Sequence, residues 1–257
     1  MSIYQHFRPE ERDFINQVLN WKAYVEQAYA PKLTDFLDPR EQQIMKTIIG
    51  QQMEIKWGLF GGSEFTERKR ALIYPDYFQN EDSDYKIQLY EIQYPNKFIS
   101  LAHRDILGSL MSLGLRREKF GDIVIVGDRL QFYCAEEVGE YVRLQLQTVG
   151  RANVQLIERP LSDSIAHQDL WAESVVSVSS LRLDTVISSI FQLSRQKSQS
   201  LISAGLVKVN WTSIESASFE CGEGDTISVR GFGRGKLFSI EGKTKKEKWR
   251  ISVGRQK

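Results

Sequence analysis

Two cysteines, three histidines and six prolines among 257 residues leave several kinds of chemistry without material. Cys134 and Cys221 stand far apart, with neither a CxxC pair nor a histidine cluster nearby, so a zinc site and a disulfide framework are both excluded. Both cysteines read as reduced and structural. The histidines are scattered and join no nucleophile constellation, which removes support for hydrolytic catalysis. No apolar run approaches the roughly 18 residues that a membrane span requires. The N-terminus, MSIYQHFRPEER, lacks the apolar core of a secretion signal. A cytoplasmic protein without membrane contact, metal or cofactor is expected.

What is present is ordinary in amount and uneven in placement. Hydrophobic residues make up 41% and charged residues 26%, the balance of a folded soluble chain of two or three units. The formal net charge is only +1, yet residues 180–257 hold 14 Lys and Arg against 7 Asp and Glu, leaving 20 against 26 upstream. An excess of seven cations on a C-terminal segment suggests an appended nucleic-acid-binding unit; a solvated basic face is the plain alternative.

Periodicity divides the rest into an α+β protein. Residues 1–75 read as a mainly helical domain. Phe14, Val18, Trp21, Val25 and Ala28 recur at helical spacing, and Asp38-Pro39 opens a second helix over 39–52. EIKWGLFGG and ALIY follow as strands. Residues 76–160 alternate as βαββαβ: strands at YKIQLYEIQ, GDIVIVG, RLQFYCA and ANVQLIE, helices at HRDILGSLMSLG and EEVGEYVRLQLQTVG. That order is a ferredoxin-like sandwich, with two helices on one sheet face and the other face free. Small RNA-binding modules use such a free face, but the strand signature of those modules is absent, and Phe132 and Tyr133 point to opposite faces. Residues 161–179 read as a linker ending in a strand, and 180–257 as the C-terminal domain.

In that domain Leu183, Val186, Ile187, Ile190 and Phe191 fall at i, i+3, i+4, i+7 and i+8, one apolar stripe of a first helix. Ser194 is placed to cap a second helix and Gly205 to end it. LVKVN then alternates as a strand. A capped helix start beside Arg195 and Lys197, flanked by Arg182 and Lys208, suits the phosphates of a folded RNA. The residues R182-L-D, S194-R-x-x-S-x-x-L-I-x-x-G-x-V-x-V-N210 and G224-D-x-I resemble the S4 RNA-binding domain over about 50 residues. Trp211 departs from that pattern, which usually has glycine, and Ser198 stands where alanine is usual. Beyond it, Arg230, Arg234, Lys236, Lys243, Lys245, Lys246, Lys248 and Arg250 are interleaved with Phe232, Leu237, Phe238, Ile240, Trp249 and Ile251. An ordered hairpin that widens an RNA footprint is expected; a solvated tail is the alternative. The candidate RNA-binding set is therefore Arg182, Ser194, Arg195, Lys197, Gln199, Lys208, Asn210 and those eight cations. His103, Arg104, Arg116 and Arg117 form a candidate second surface.

GGSEFTERKRALIYP, LAHRDILGSLMSLGLRREKFGDI and SSLRLD, together with the S4 pattern, resemble the YlmH family of bacterial RNA-binding proteins, often encoded among cell-division genes. The resemblance spans nearly the whole chain. It implies binding of rRNA or tRNA on a large ribosomal subunit that carries peptidyl-tRNA, in translation quality control, without catalysis.

Sharper readings find less support. His103-Arg104-Asp105 lacks the asparagine, DFG and glycine-rich loop of a protein kinase. GFGRGK lacks phosphate-loop spacing, with Arg230 in place of the first glycine and Leu237 in place of the hydroxyl. Gly61-Gly62 is a poor methyltransferase loop. Arg182-Leu183-Asp184 is similar to the catalytic tripeptide of pseudouridine synthases, so an RNA-modifying enzyme is the runner-up, and a cell-division adaptor is the third reading. The ordinary role of an aspartate at that point of a helix is pairing with a neighbouring base or capping.

Overall fold

The computed structural model describes residues 7, 11–50, 54–165 and 171–256. Two compact units, Met1–His167 and Gln168–Lys257, divide the chain. Among the described residues, no helix is long and apolar enough to cross a membrane, and no group of three or more His, Cys, Asp or Glu is placed to hold a metal ion.

The first unit opens with α1 (Arg12–Ala28), β1 (Lys32–Leu37), α2 (Pro39–Ile49), β2 (Ile55–Phe60) and β3 (Lys69–Pro75). Asp38 and Glu41 start α2 reciprocally: the Asp38 carboxylate accepts the Glu41 N–H at 2.9 Å, and the Glu41 carboxylate accepts the Asp38 N–H at 2.7 Å. Residues 51 and 52 of the helix expected over 39–52 lie outside the described residues. β1, β3 and β2 form a three-stranded antiparallel sheet in that order; β2 and β3 are the strands expected at EIKWGLFGG and ALIY, and β1 adds a third. β1 escapes periodicity for a physical reason. Its consecutive residues Phe36 and Leu37 are both buried, in different hydrophobic clusters on opposite sides of the strand, and a strand buried on both faces does not alternate.

The unit continues with β4 (Ile87–Gln93), α3 (His103–Ser112), β5 (Phe120–Val126), β6 (Arg129–Ala135), α4 (Glu136–Gln145), the short pair β7 (Thr148–Val149) and β8 (Ala152–Asn153), and β9 (Gln155–Arg159). The sheet order β5-β6-β4-β9 with antiparallel neighbours is the ferredoxin-like arrangement. Ile106 and Leu110 of α3 and Val142 of α4 bury against Tyr90, Phe120 and Phe132.

The opposite face of this sheet is not free, which corrects the expectation. Leu89, Val124, Tyr133 and Ala135 are buried there against Phe36 of β1, with Leu161 and Ile165 closing over them. The Tyr133 hydroxyl is hydrogen-bonded to Ser164, and the Gln131 side chain accepts the Ile165 N–H. Gly62, at φ +99°, lies flat on the Tyr133 ring; a Cβ there would sit 2.5 Å from it. Polar anchors complete the seal. The Asp122 carboxylate accepts the Glu67 N–H at 2.5 Å, Arg68 donates to the Phe36 and Phe120 carbonyls, and the buried Arg70 donates to the Thr34 and Lys86 carbonyls and to Glu137. Residues 161–165 therefore belong to this unit, not to a linker; 166–170 lie outside the described residues.

The second unit comprises β10 (Trp171–Val178), α5 (Leu183–Phe191), α6 (Arg195–Ser203), β11 (Val207–Val209), β12 (Thr212–Ser213), β13 (Thr226–Val229), β14 (Gly233–Lys243) and β15 (Trp249–Gln256). One antiparallel sheet runs β10-β15-β14-β13-β11-β12. β10 pairs with β15 along its whole length, so residues 171–178 are an integral edge strand rather than the end of a linker. All five apolar residues of the α5 stripe are buried, and with Leu201 and Ile202 of α6 they cover Val207, Val209, Ile227, Val229, Leu237, Ile251 and Val253. Alternation along the strands sends Lys208, Ser228, Arg234 and Lys236 to the opposite face.

Candidate nucleic-acid interface

The site is organised by a carboxylate. Asp184, in the first turn of α5, is 0% exposed and accepts hydrogen bonds from Arg182 at 3.1 and 3.2 Å, Arg195 at 3.0 Å, Gln199 at 2.7 Å and the Thr185 hydroxyl at 3.3 Å. Burial alone pushes its pKa up. The hydrogen bonds from Arg182, Gln199 and Arg195 outweigh that effect and hold the carboxyl well below the usual carboxylate range. Arg182, just before α5, and Arg195, the first residue of α6, are thereby fixed side by side, with side chains 39% and 53% exposed. Two guanidiniums share one buried anion, leaving a net positive, preordered pair with donor edges toward solvent. Lys197 is exposed on the same helical turn as Arg195.

Some expected members support this pair instead of adding to it. The Ser194 hydroxyl accepts the Lys197 N–H at 3.2 Å and the Ser194 carbonyl accepts the Ser198 N–H at 3.0 Å, so Ser194 is spent on starting α6. Its hydroxyl also satisfies one of the helix-terminal N–H groups that the sequence assigned to an anion. The Gln199 amide is committed to Asp184. Asn210 is corrected most clearly: its Nδ2 donates to Asp225 at 2.7 Å and its Oδ1 accepts the Thr226 N–H at 2.9 Å. Both ends of that amide lock a turn. Asn210 and Trp211 occupy this turn between β11 and β12 at φ +47° and +65°.

The remaining cations divide by surroundings. Lys208 and Arg230 are exposed. Arg234 lies over the Trp211 ring at 5.9 Å and Lys236 over the Phe238 ring at 5.6 Å. The hairpin of β14 and β15 is ordered, with Lys245, Lys246 and Lys248 exposed at its tip. Lys243 pairs with Glu247 at 3.1 Å and Arg250 with Glu241 at 2.8 Å, which reduces their share of the positive field.

The four residues of the second surface differ in how far they are engaged within the fold. Arg116 pairs with Asp35 at 3.0 Å. Arg117 donates to the Phe120 and Gly121 carbonyls at 2.6 and 3.1 Å, and burial together with Arg68 lowers its pKa to about 10. Both hold the first unit together. His103 opens α3, and Arg104 is 90% exposed at 3.7 Å from Asp105, whose carboxylate also caps the Ala102 N–H. What the sequence reading missed is Trp171, hidden in a stretch that looks like linker, and the use of Trp211 as a ring beside Arg234 rather than only as an irregular turn residue.

Fold and site together define an α+β protein with an S4-type C-terminal unit, and the S4 domain model matches residues 181–227. The model described as "YlmH, N-terminal" matches residues 10–78, and that described as "Putative RNA-binding domain in YlmH" matches 80–163. The chain belongs to the YlmH family. It is 48% identical over 257 residues, all of this chain and 99% of the other, to "Ribosome-associated protein quality control protein P2" of Bacillus subtilis (strain 168). A solved structure, "Cell division protein ylmH from Streptococcus pneumoniae", shares 38% identity with a TM-score of 0.54, over 64% of this chain and 100% of that one.

Proposed function

We propose that this protein binds structured RNA on the ribosome, in the cytoplasm, as a component of translation quality control. The C-terminal unit grips phosphates through Arg182, Arg195 and Lys197, assisted by Lys208, Arg230, Arg234, Lys236 and the hairpin-tip lysines. The large subunit carrying peptidyl-tRNA is the intended target. The observation that carries this reading is the arginine pair that Asp184 holds at the start of two helices in a segment, residues 180–257, with seven more cations than anions. The printed name of the 48% identical relative points the same way. Residues 1–75 and 76–160 act as one sealed scaffold.

The binding involves no bond-making step. A catalytic aspartate must meet its substrate, and Asp184 is fully buried with its oxygens taken by four side chains of its own chain. Mapping modified nucleotides in RNA incubated with the purified protein tests the enzymatic alternative, and an unmodified map is expected. For five neutralised phosphates, log K falls against log salt with a slope of about −3.5 to −4.5, so affinity drops roughly a hundredfold or more between 50 and 200 mM salt. Arg195→Gln with Lys197→Gln lowers RNA affinity and ribosome co-sedimentation while the chain stays folded. An undiminished affinity in that double variant places the site elsewhere.

A further inference from the structure

The face of the second unit's sheet that turns away from α5 and α6 carries a row of rings and cations. Trp211 lies under Arg234 at 5.9 Å; two residues along β14, on the same face, Lys236 lies over Phe238 at 5.6 Å; and Phe238 meets Trp171 edge to face at 6.0 Å. The row runs across five strands, from the β11–β12 turn to the edge strand β10. Gly254 makes it continuous. A Cβ there would sit 2.6 Å from the Phe238 ring and 3.0 Å from the Trp171 side chain, so the two rings meet across a bare backbone. Lys208 and Ser228 extend the face beside Arg234, in register as cross-strand neighbours.

Trp211 has no backbone reason to be a tryptophan. At φ +65° the turn favours glycine, and a bulky side chain there is strained. The indole stands here against the preference of the turn, partly exposed under a guanidinium. A strained ring at the end of a cationic row serves a ligand that has both negative charge and flat faces. Duplex RNA offers phosphates but no open base faces; unpaired nucleotides offer both, and bases stack on aromatic side chains largely regardless of sequence.

We propose that this outer sheet face is a stacking platform for unpaired nucleotides that flank the structured RNA held at Arg182 and Arg195. The proposal rests on the RNA-binding reading above and adds the class of RNA segment. Trp211 and Phe238 take bases, and Lys208, Arg234 and Lys236 follow the backbone between them.

The test uses the full-length chain and two labelled probes, an RNA hairpin and the same hairpin with a six-nucleotide unpaired 3′ extension. The extension raises wild-type affinity by at least about fivefold, the effect of one stacked base. Trp211→Gly loses that increment, keeps the affinity for the bare hairpin, and melts at a temperature no lower than wild type because glycine suits the turn. Arg195→Gln loses affinity for both probes and keeps the ratio between them. An extension that adds nothing to the wild type, or a Trp211→Gly chain that keeps the full increment, overturns the platform and leaves the helical site intact. Wild-type protein that binds neither probe overturns the RNA-binding reading itself. Displacement of the extended probe to the bare-hairpin level by an acidic peptide, seen in the wild type and absent in Trp211→Gly, assigns the face to a protein and overturns the platform as well.

Discussion

Asp184 shows how one residue sets the electrostatics of a site without meeting the ligand. Its carboxylate is depressed below its ordinary pKa by Arg182, Gln199 and Arg195, so the bound proton is favoured by the unfolded chain. Its contribution to stability is therefore complete above the unfolded value of about 3.9 and is lost as pH falls below it. Asp184→Asn flattens the acid limb of the stability curve and costs roughly 1–2 kcal/mol at neutral pH, less than a fully buried ion pair because both arginines reach solvent. Urea unfolding at pH 3 to 7 checks this; an unchanged acid limb would show that the ionised Asp184 contributes nothing to folding. The SSLRLD motif made Arg182 and Asp184 visible in the sequence as neighbours. That Arg195 and Gln199 close on the same carboxylate was not visible, because it depends on how α5 and α6 pack.

At the scale of elements, the two helices were legible and their division of labour was not. Serine before a polar run with glycine eleven residues later marks α6, and Ser194 caps it as the spacing predicts. In the cap the hydroxyl serves as an acceptor for the Lys197 N–H, a structural role. Ser194→Ala is expected to cost about 1 kcal/mol of stability, the ordinary effect of a lost cap, and to change RNA affinity by less than about threefold. Thermal melts and a binding titration on the same sample measure both, and a large affinity loss without destabilisation would return Ser194 to the contact surface. β10 marks the limit of local reading. Its AESVVSV has β-branched residues but no clean alternation, because an edge strand has one neighbour and only Val178 is fully buried.

At the scale of the whole molecule, the first unit closes a surface that its ferredoxin-like part would otherwise expose. Phe36 from β1 and Gly62 after β2 rest on Tyr133, and Arg70 spans from the N-terminal sheet to Glu137 on α4. A fragment of residues 80–165 uncovers Leu89, Tyr133 and Ala135. It is expected to bind a hydrophobic dye and aggregate, whereas 1–165 stays monomeric and dye-free. A soluble, dye-silent fragment would show that the seal is dispensable. Gly62→Val, which drives a side chain into the Tyr133 ring at a positive φ, is expected to reproduce the defect in the intact chain.

The chain by itself determined the βαββαβ order, the S4 pattern and the concentration of cations at the C-terminus, since all three depend on local spacing, capping residues and composition. Tertiary structure alone decided which cations are available. Arg117 and Asn210 look like RNA ligands in the sequence and are consumed within the fold, while Trp171 and Trp211 look incidental and share one sheet face. The physical reason is that a side chain's hydrogen-bonding capacity is finite, and what remains of it is fixed by partners distant in sequence that only the packed chain brings near.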